Sequence, residues 1–153
     1  MKNFSLREYF QSRTAGFYIG CAAAILSLVV AFVYLGGYGG GKYMSWAVFF
    51  LPLLAFAAFV ALSVSKATSP FAAAVMTFFH LLTLCLFIRT VYMYLSEVFY
   101  GGVNIESIAN LSFEFVFCLV SMLLNLVLGI IALFIPPIRQ ERFAEVEAKE
   151  ATK

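Results

Sequence analysis

Apolar residues come in four long blocks, and the polar residues lie mostly between them. The blocks run from Ala15 to Leu35, Trp46 to Val64, Phe71 to Leu95 and Ser112 to Ile135. Each can cross a hydrocarbon core of ~30 Å, which takes about 20 helical residues. Helix is expected for all four, because a backbone in lipid must satisfy its own polar groups. Barrel strands would alternate over about ten residues, and no block does so. The fold class expected is an all-α membrane protein, a four-transmembrane-helix bundle forming one domain over residues 1–137. A charged tail, 138–153, follows Pro136-Pro137.

The connectors refine this. Gly36 to Ser45 is rich in glycine and is expected to stop the first helix at Leu35. Pro70 suits the first turn of the third helix. The longest connection is Ser96 to Leu111, where Asn104 is placed to cap a short helix. Phe4 to Thr14 mixes aromatic and basic residues and is expected to lie along the headgroups as an interfacial helix. The first block is too long for the apolar part of a cleaved signal, so it is read as a retained helix.

Composition excludes a water-facing surface. Of 153 residues, 63% are hydrophobic and 12% charged, against about 25% charged in soluble domains. The lipid bilayer is therefore the first partner implied. The charges also fix an expected orientation. Lys2, Arg7, Arg13, Lys66, Arg139, Arg142, Lys149 and Lys153 fall on one side, and Lys42 on the other, joined by Arg89 if its side chain reaches outward. The positive-inside rule then puts both termini in the cytoplasm. There is no long basic run, so no nucleic acid partner is expected.

No cofactor is expected either. Cys21, Cys85 and Cys118 are scattered singly through apolar blocks, which makes neither a disulfide framework nor a metal site. Gly36, Gly41 and Lys42 match most of a phosphate-binding loop. Tyr43, however, stands where Ser or Thr must ligate magnesium, and no strand precedes the loop. Nucleotide binding is set aside.

Polar groups inside the blocks are the candidate sites, since charge in lipid costs about 2.5–3.5 kcal/mol even on a lenient scale. Glu114, Cys118, Ser121 and Asn125 share one face of the fourth helix by their spacing. Phe78, Leu82, Cys85 and Arg89 share a face of the third. Matching depths predict an Arg89–Glu114 ion pair, with Cys85 opposite Cys118 and Asn125 opposite Phe78. His80 points away from that face and is expected to be packed and neutral, with Thr77 and Thr83 nearby. Gly16, Gly20 and Ala24 form a small-residue stripe suited to close helix packing, within the chain or in a homo-oligomer. Pro52 can kink the second helix.

Several four-helix activities want residues absent here. A small multidrug exporter needs a carboxylate in its first helix, and a thiol oxidase needs paired outer cysteines. A voltage sensor needs repeated arginines in its fourth helix, and an intramembrane protease needs a clustered polar site. Two expectations stand. One is a non-enzymatic partner or accessory subunit of a larger membrane assembly. The other is a small oligomeric transporter or channel using the polar stripe of the fourth helix, with Arg89, Glu114 and His80. An enzyme acting on a lipid-like substrate trails both.

Overall fold

The computed structural model describes residues 13–65, 68–100, 102–103 and 105–137. The expected interfacial helix before Arg13, the capping Asn104 and the charged tail from residue 138 lie outside the described residues. The protein is all-helical: α1 (Ala15–Tyr38), α2 (Trp46–Val64), α3 (Ser69–Val98), a short α4 (Ile105–Ala109) and α5 (Phe113–Phe134). Four of these, all but α4, are long and apolar enough to cross a membrane.

The four long helices form an up-and-down ring in which α1 packs on α2 and α5, and α3 packs on the same two. Short connections force this order, because consecutive antiparallel helices become neighbours. The chain ends meet at one end of the bundle, where Thr14 N–H donates to the Pro137 carbonyl at 3.3 Å. The turn between α2 and α3 is at that terminal end too, tied there by Arg13. The connections 39–45 and 99–112 cover the other, loop end.

Surface and interior divide as they do when lipid is the solvent. Ile25, Phe32, Phe78 and Phe134 stand outward, each at least 60% exposed, while Ser27, His80, Thr83, Ser121 and Asn125 are buried. A water-soluble bundle would show the reverse.

Two apolar clusters fill the interior. At the loop end Tyr34, Tyr38, Val48, Phe87, Val91, Phe115, Cys118 and Met122 pack together, with Phe87 and Phe115 stacked at 5.9 Å. At the terminal end the cluster is built on smaller residues, Ala23, Ala24, Ala55 and Ala72, around Phe17, Phe59 and Met76. The glycines of α1 allow this. A Cβ on Gly20 would lie 2.6 Å from the Phe59 ring, and one on Gly16 would strike the Ile135 carbonyl.

Two boundaries differ from those the sequence predicts. α1 passes through Gly36 and Gly37 to Tyr38 instead of stopping at Leu35. Tyr38 gains a buried place against Phe87, ring to ring at 6.2 Å, and Gly37 lets the Glu114 side chain come close. Tertiary contact thus outweighs the helix cost of two glycines, roughly 1 kcal/mol each. α3 extends on both sides of its apolar block, and Pro70 sits in its first turn.

Polar side chains knit the connections. The Tyr34 hydroxyl accepts from Ser45 N–H at 2.8 Å and donates to the Tyr43 carbonyl. The Tyr94 hydroxyl accepts from Ser112 N–H. Ser112 in turn caps α5, its Oγ accepting from Phe115 N–H at 3.2 Å, as N-cap serines do. The Glu97 carboxylate accepts from Lys42 Nζ at 2.9 Å and Tyr43 Oη at 2.5 Å. That pairing holds Lys42 charged to higher pH than a free lysine. The contact is therefore complete at neutral pH; it fades as pH rises through the raised lysine value, and at acid pH as the Glu97 carboxylate takes up a proton. Both partners are exposed, so it orders the loop more than it stabilises the fold.

Candidate functional site: a buried polar belt

Between the two apolar clusters lies a belt of polar side chains, at mid-height of the bundle. α1 contributes Ser27, α3 contributes His80 and Thr83, and α5 contributes Ser121 and Asn125. They converge because each occupies the stripe that its helix turns inward. Met76, His80, Thr83, Leu84, Phe87 and Val91 are the buried positions of α3, and their spacing is that of one helical face.

Hydrogen bonds link the belt from helix to helix. Ser27 Oγ donates to the Ala23 carbonyl one turn back, at 2.9 Å. Its other neighbour is His80 Nε2 at 2.5 Å. The Asn125 backbone is a further hydrogen-bond partner of the His80 ring, so the imidazole links α1 to α5. Thr83 stands apart, because its hydroxyl donates to the Phe79 carbonyl at 2.7 Å.

Asn125 Oδ1 is one of the buried polar atoms with no hydrogen-bond partner among the described residues, and it lies beside His80. Both side chains are at least 97% buried. They line a common cavity of about 10 Å³, walled by Val30, Pro52, Thr83 and Met122 as well. Pro52 brings no backbone N–H to the second helix at this level.

The remaining predicted residues fall elsewhere. Arg89 does not pair with Glu114; among the described residues the ion pair present is Lys42–Glu97. Arg89 is exposed on the outer surface of α3, together with Phe78, Leu82 and Cys85. The whole face expected to meet α5 is the face turned away from it. Cys118 is buried in the loop-end cluster while Cys85 points outward, so the two thiols do not face each other. Glu114 is half-buried in the first turn of α5, where a carboxylate complements the helix dipole, and it packs against Gly37 of α1. Gly16, Gly20 and Ala24 are all buried within the chain. Among the described residues no three His, Cys, Asp or Glu side chains gather as a metal ion would need.

Arg13, expected from the sequence to lie along the headgroups, is instead an interior residue. It is 5% exposed and donates to Ser69 Oγ and to the Ser63 carbonyl, both at 2.6 Å. Its guanidinium also lies over the Phe17 ring, 4.9 Å from the centroid. Ser63 is in the last turn of α2, so the cation occupies the negative end of that helix. One side chain thus fastens α1, α2 and α3 at the terminal end. The missed link between Ser27 and His80 did leave a signal. Ser27, His80 and Asn125 each lie near the middle of an otherwise apolar helix.

Comparison of the chain with protein-family models, with curated proteins and with solved structures gives no match.

Proposed function

We propose that this chain is a multi-pass integral membrane protein with both termini cytoplasmic, acting as a non-enzymatic subunit of a larger membrane assembly. It docks through the outer surface of α3. The observation that carries this is Arg89, a cation on the outward face of an apolar helix. Arg89 lies six positions before Leu95, the end of the apolar block, about 9 Å along the axis. A charge so placed in lipid is expensive, and a partner helix bearing a carboxylate at that depth would offset the cost. Among the described residues, Glu114, the carboxylate within an apolar span, packs against Gly37, and Glu97 is engaged by Lys42. This favours a different polypeptide over a second copy as the partner.

Co-purification from native membranes in mild detergent tests this. Arg89→Leu is expected to keep or raise the thermal stability of the isolated bundle and to weaken partner capture by more than a hundredfold. That follows from the roughly 3–5 kcal/mol cost of leaving one side of a buried pair alone. Adding Glu114→Leu should change stability additively, because the two residues do not touch. Undiminished capture by Arg89→Leu would rule out this docking face. Orientation has its own check: reporter fusions at Lys153 and Lys66 should read cytoplasmic, and those at Gly40 and Gly102 external.

Transport is the second reading, and the inward polar face of α5 favours it. The cavity on that face has room for a water molecule and no larger solute, which weighs toward the subunit reading. Flux in proteoliposomes holding the chain alone would reverse that order.

A further inference from the structure

Helix α4 is too short to stand alone. It has five residues, Ile105–Ala109, whereas an isolated helix of fewer than about 12 residues is marginal in water. Short helices in proteins are held by packing. Yet every residue of α4 whose side chain is described is exposed, Ile105 at 87% and Ile108 at 54%. The helix is also divided by face. At about 100° per residue, Ile105, Ile108 and Ala109 fall within one narrow arc, and Glu106 and Asn110 fall outside it. Val103, just before the helix, is exposed as well. This apolar face needs a covering that the described part of the bundle does not supply.

The position of α4 identifies the covering. Ile108 lies five positions before Phe113, where the apolar span of α5 begins, at most about 18 Å of extended chain. A turn closed by Leu111 N–H on the Ile108 carbonyl at 3.2 Å shortens that reach. Exposed aromatic rings mark the same end of the spans. Trp46 opens α2, Tyr92 is in the last two turns of α3, Tyr100 follows that helix, and Phe113 opens α5. Such rings gather where hydrocarbon meets headgroups. α4 is thus tethered beside that boundary, in continuity with the outward apolar surface of the bundle. Charge narrows the choice of lipid. Among the described residues of the loop end, Glu97, Glu106 and Glu114 outnumber Lys42, so an anionic surface would repel this end.

We propose that α4 lies on the bilayer surface at the loop end as an interfacial helix. Ile105 and Ile108 are set among zwitterionic lipid headgroups, down to the acyl boundary, and Glu106 faces water. Helices that lie in this plane bury their apolar face about 5–10 Å into the headgroup and acyl boundary. The proposal rests on the reading of the four long helices as membrane spans.

Tryptophan fluorescence against brominated lipid tests this. The full chain is reconstituted in phosphatidylcholine vesicles, with and without bromine on the acyl chains. Trp46 is the sole tryptophan, and in the unaltered protein bromolipid should quench it, which reports insertion of the bundle. Ile108→Trp in a Trp46→Phe background should emit at short wavelength and be quenched most by bromine near the headgroup end of the acyl chain. Glu106→Trp in the same background should emit as in water and escape most of the quenching. Adding anionic phosphatidylglycerol should not deepen the quenching at position 108. Quenching of Trp46 with water-like emission at position 108 would overturn the proposal and leave the spans in place. Short-wavelength emission at 108 without quenching would overturn it too, because a second copy of the chain would then cover the face. Quenching at 108 that requires phosphatidylglycerol would overturn the choice of lipid. No quenching of Trp46 would remove the membrane reading and this proposal with it. One check needs no substitution. The Asn110 amide, bonded to the Glu106 carbonyl at 3.1 Å, should exchange slowly in phosphatidylcholine vesicles, and exchange at the rate of an unfolded chain would count against α4 being held by lipid.

Discussion

Exchange of Gly16 for leucine is expected to cost about 3 kcal/mol of bundle stability, the upper part of the range for overpacked cores. The reason is what lies opposite. A Cβ at Gly16 meets the backbone carbonyl of Ile135, and backbone cannot swing aside as a ring can. α1 would have to lift from the end of α5, which breaks the hydrogen bonds from Thr14 to the Pro136 and Pro137 carbonyls. Thermal unfolding in detergent should show a fall of roughly 6–12 °C, taking about 2–4 °C per kcal/mol for a chain of this size. Gly36→Ala is the control, because nothing lies within 4 Å of a Cβ there. It should be neutral or slightly stabilising, through the better helix propensity of alanine. Equal effects at the two positions would mean that the contact with Ile135 does not support the bundle.

Arg13→Ala should be as damaging, at about 3 kcal/mol. It removes two hydrogen bonds from a charged donor, worth roughly 1.5–3 kcal/mol each before the groups they served find other partners. The burial of Arg13 leaves little water to replace them. Arg13→Lys should recover less than half. An ammonium is compact and cannot present the fork that reaches Ser69 Oγ and the Ser63 carbonyl together. Amide hydrogen exchange should rise most at the end of α2 and the start of α3, which Arg13 holds. If lysine restores the full stability, the residue acts as a simple headgroup anchor and not as a staple.

Helix number and approximate span lengths were readable from the chain because an apolar run of about 20 residues has few other uses. The inward faces were harder to read. In a soluble helix the polar face identifies water, but lipid and protein interior are equally apolar, so the surfaces of α3 look alike by hydropathy. By sequence, the charge of Arg89 marks the inward face. The structure turns the neutral polar residues His80 and Thr83 inward instead, where short hydrogen bonds satisfy them, and leaves the long cation at the surface. α5 was read on its correct side because Ser121 and Asn125 are of that neutral kind. The end of α1 escapes the sequence because glycine propensity is local, while the packing of Tyr38 against Phe87 comes from another helix, far along the chain. Arg13 could not be found at all by periodicity, since its partners are a carbonyl and a hydroxyl of two other helices.

The unequal lengths of α2 and α3 have a consequence for the surrounding bilayer. α2 has 19 residues and α3 has 30, giving lengths of about 28 and 45 Å. α2 alone matches a hydrocarbon layer slightly thinner than the ~30 Å average, whereas α3 overshoots it. The Lys42–Glu97 contact holds the far end of α3 beside the chain that leads into α2, so the excess length of α3 projects from the loop end and cannot be hidden by sliding. In the membrane setting proposed above, lipids along α2 would shorten, or the bundle would tilt toward that side. This hydrophobic mismatch costs fractions of a kcal/mol per Å. Among bilayers that differ by several Å in thickness, it would favour the thinner ones.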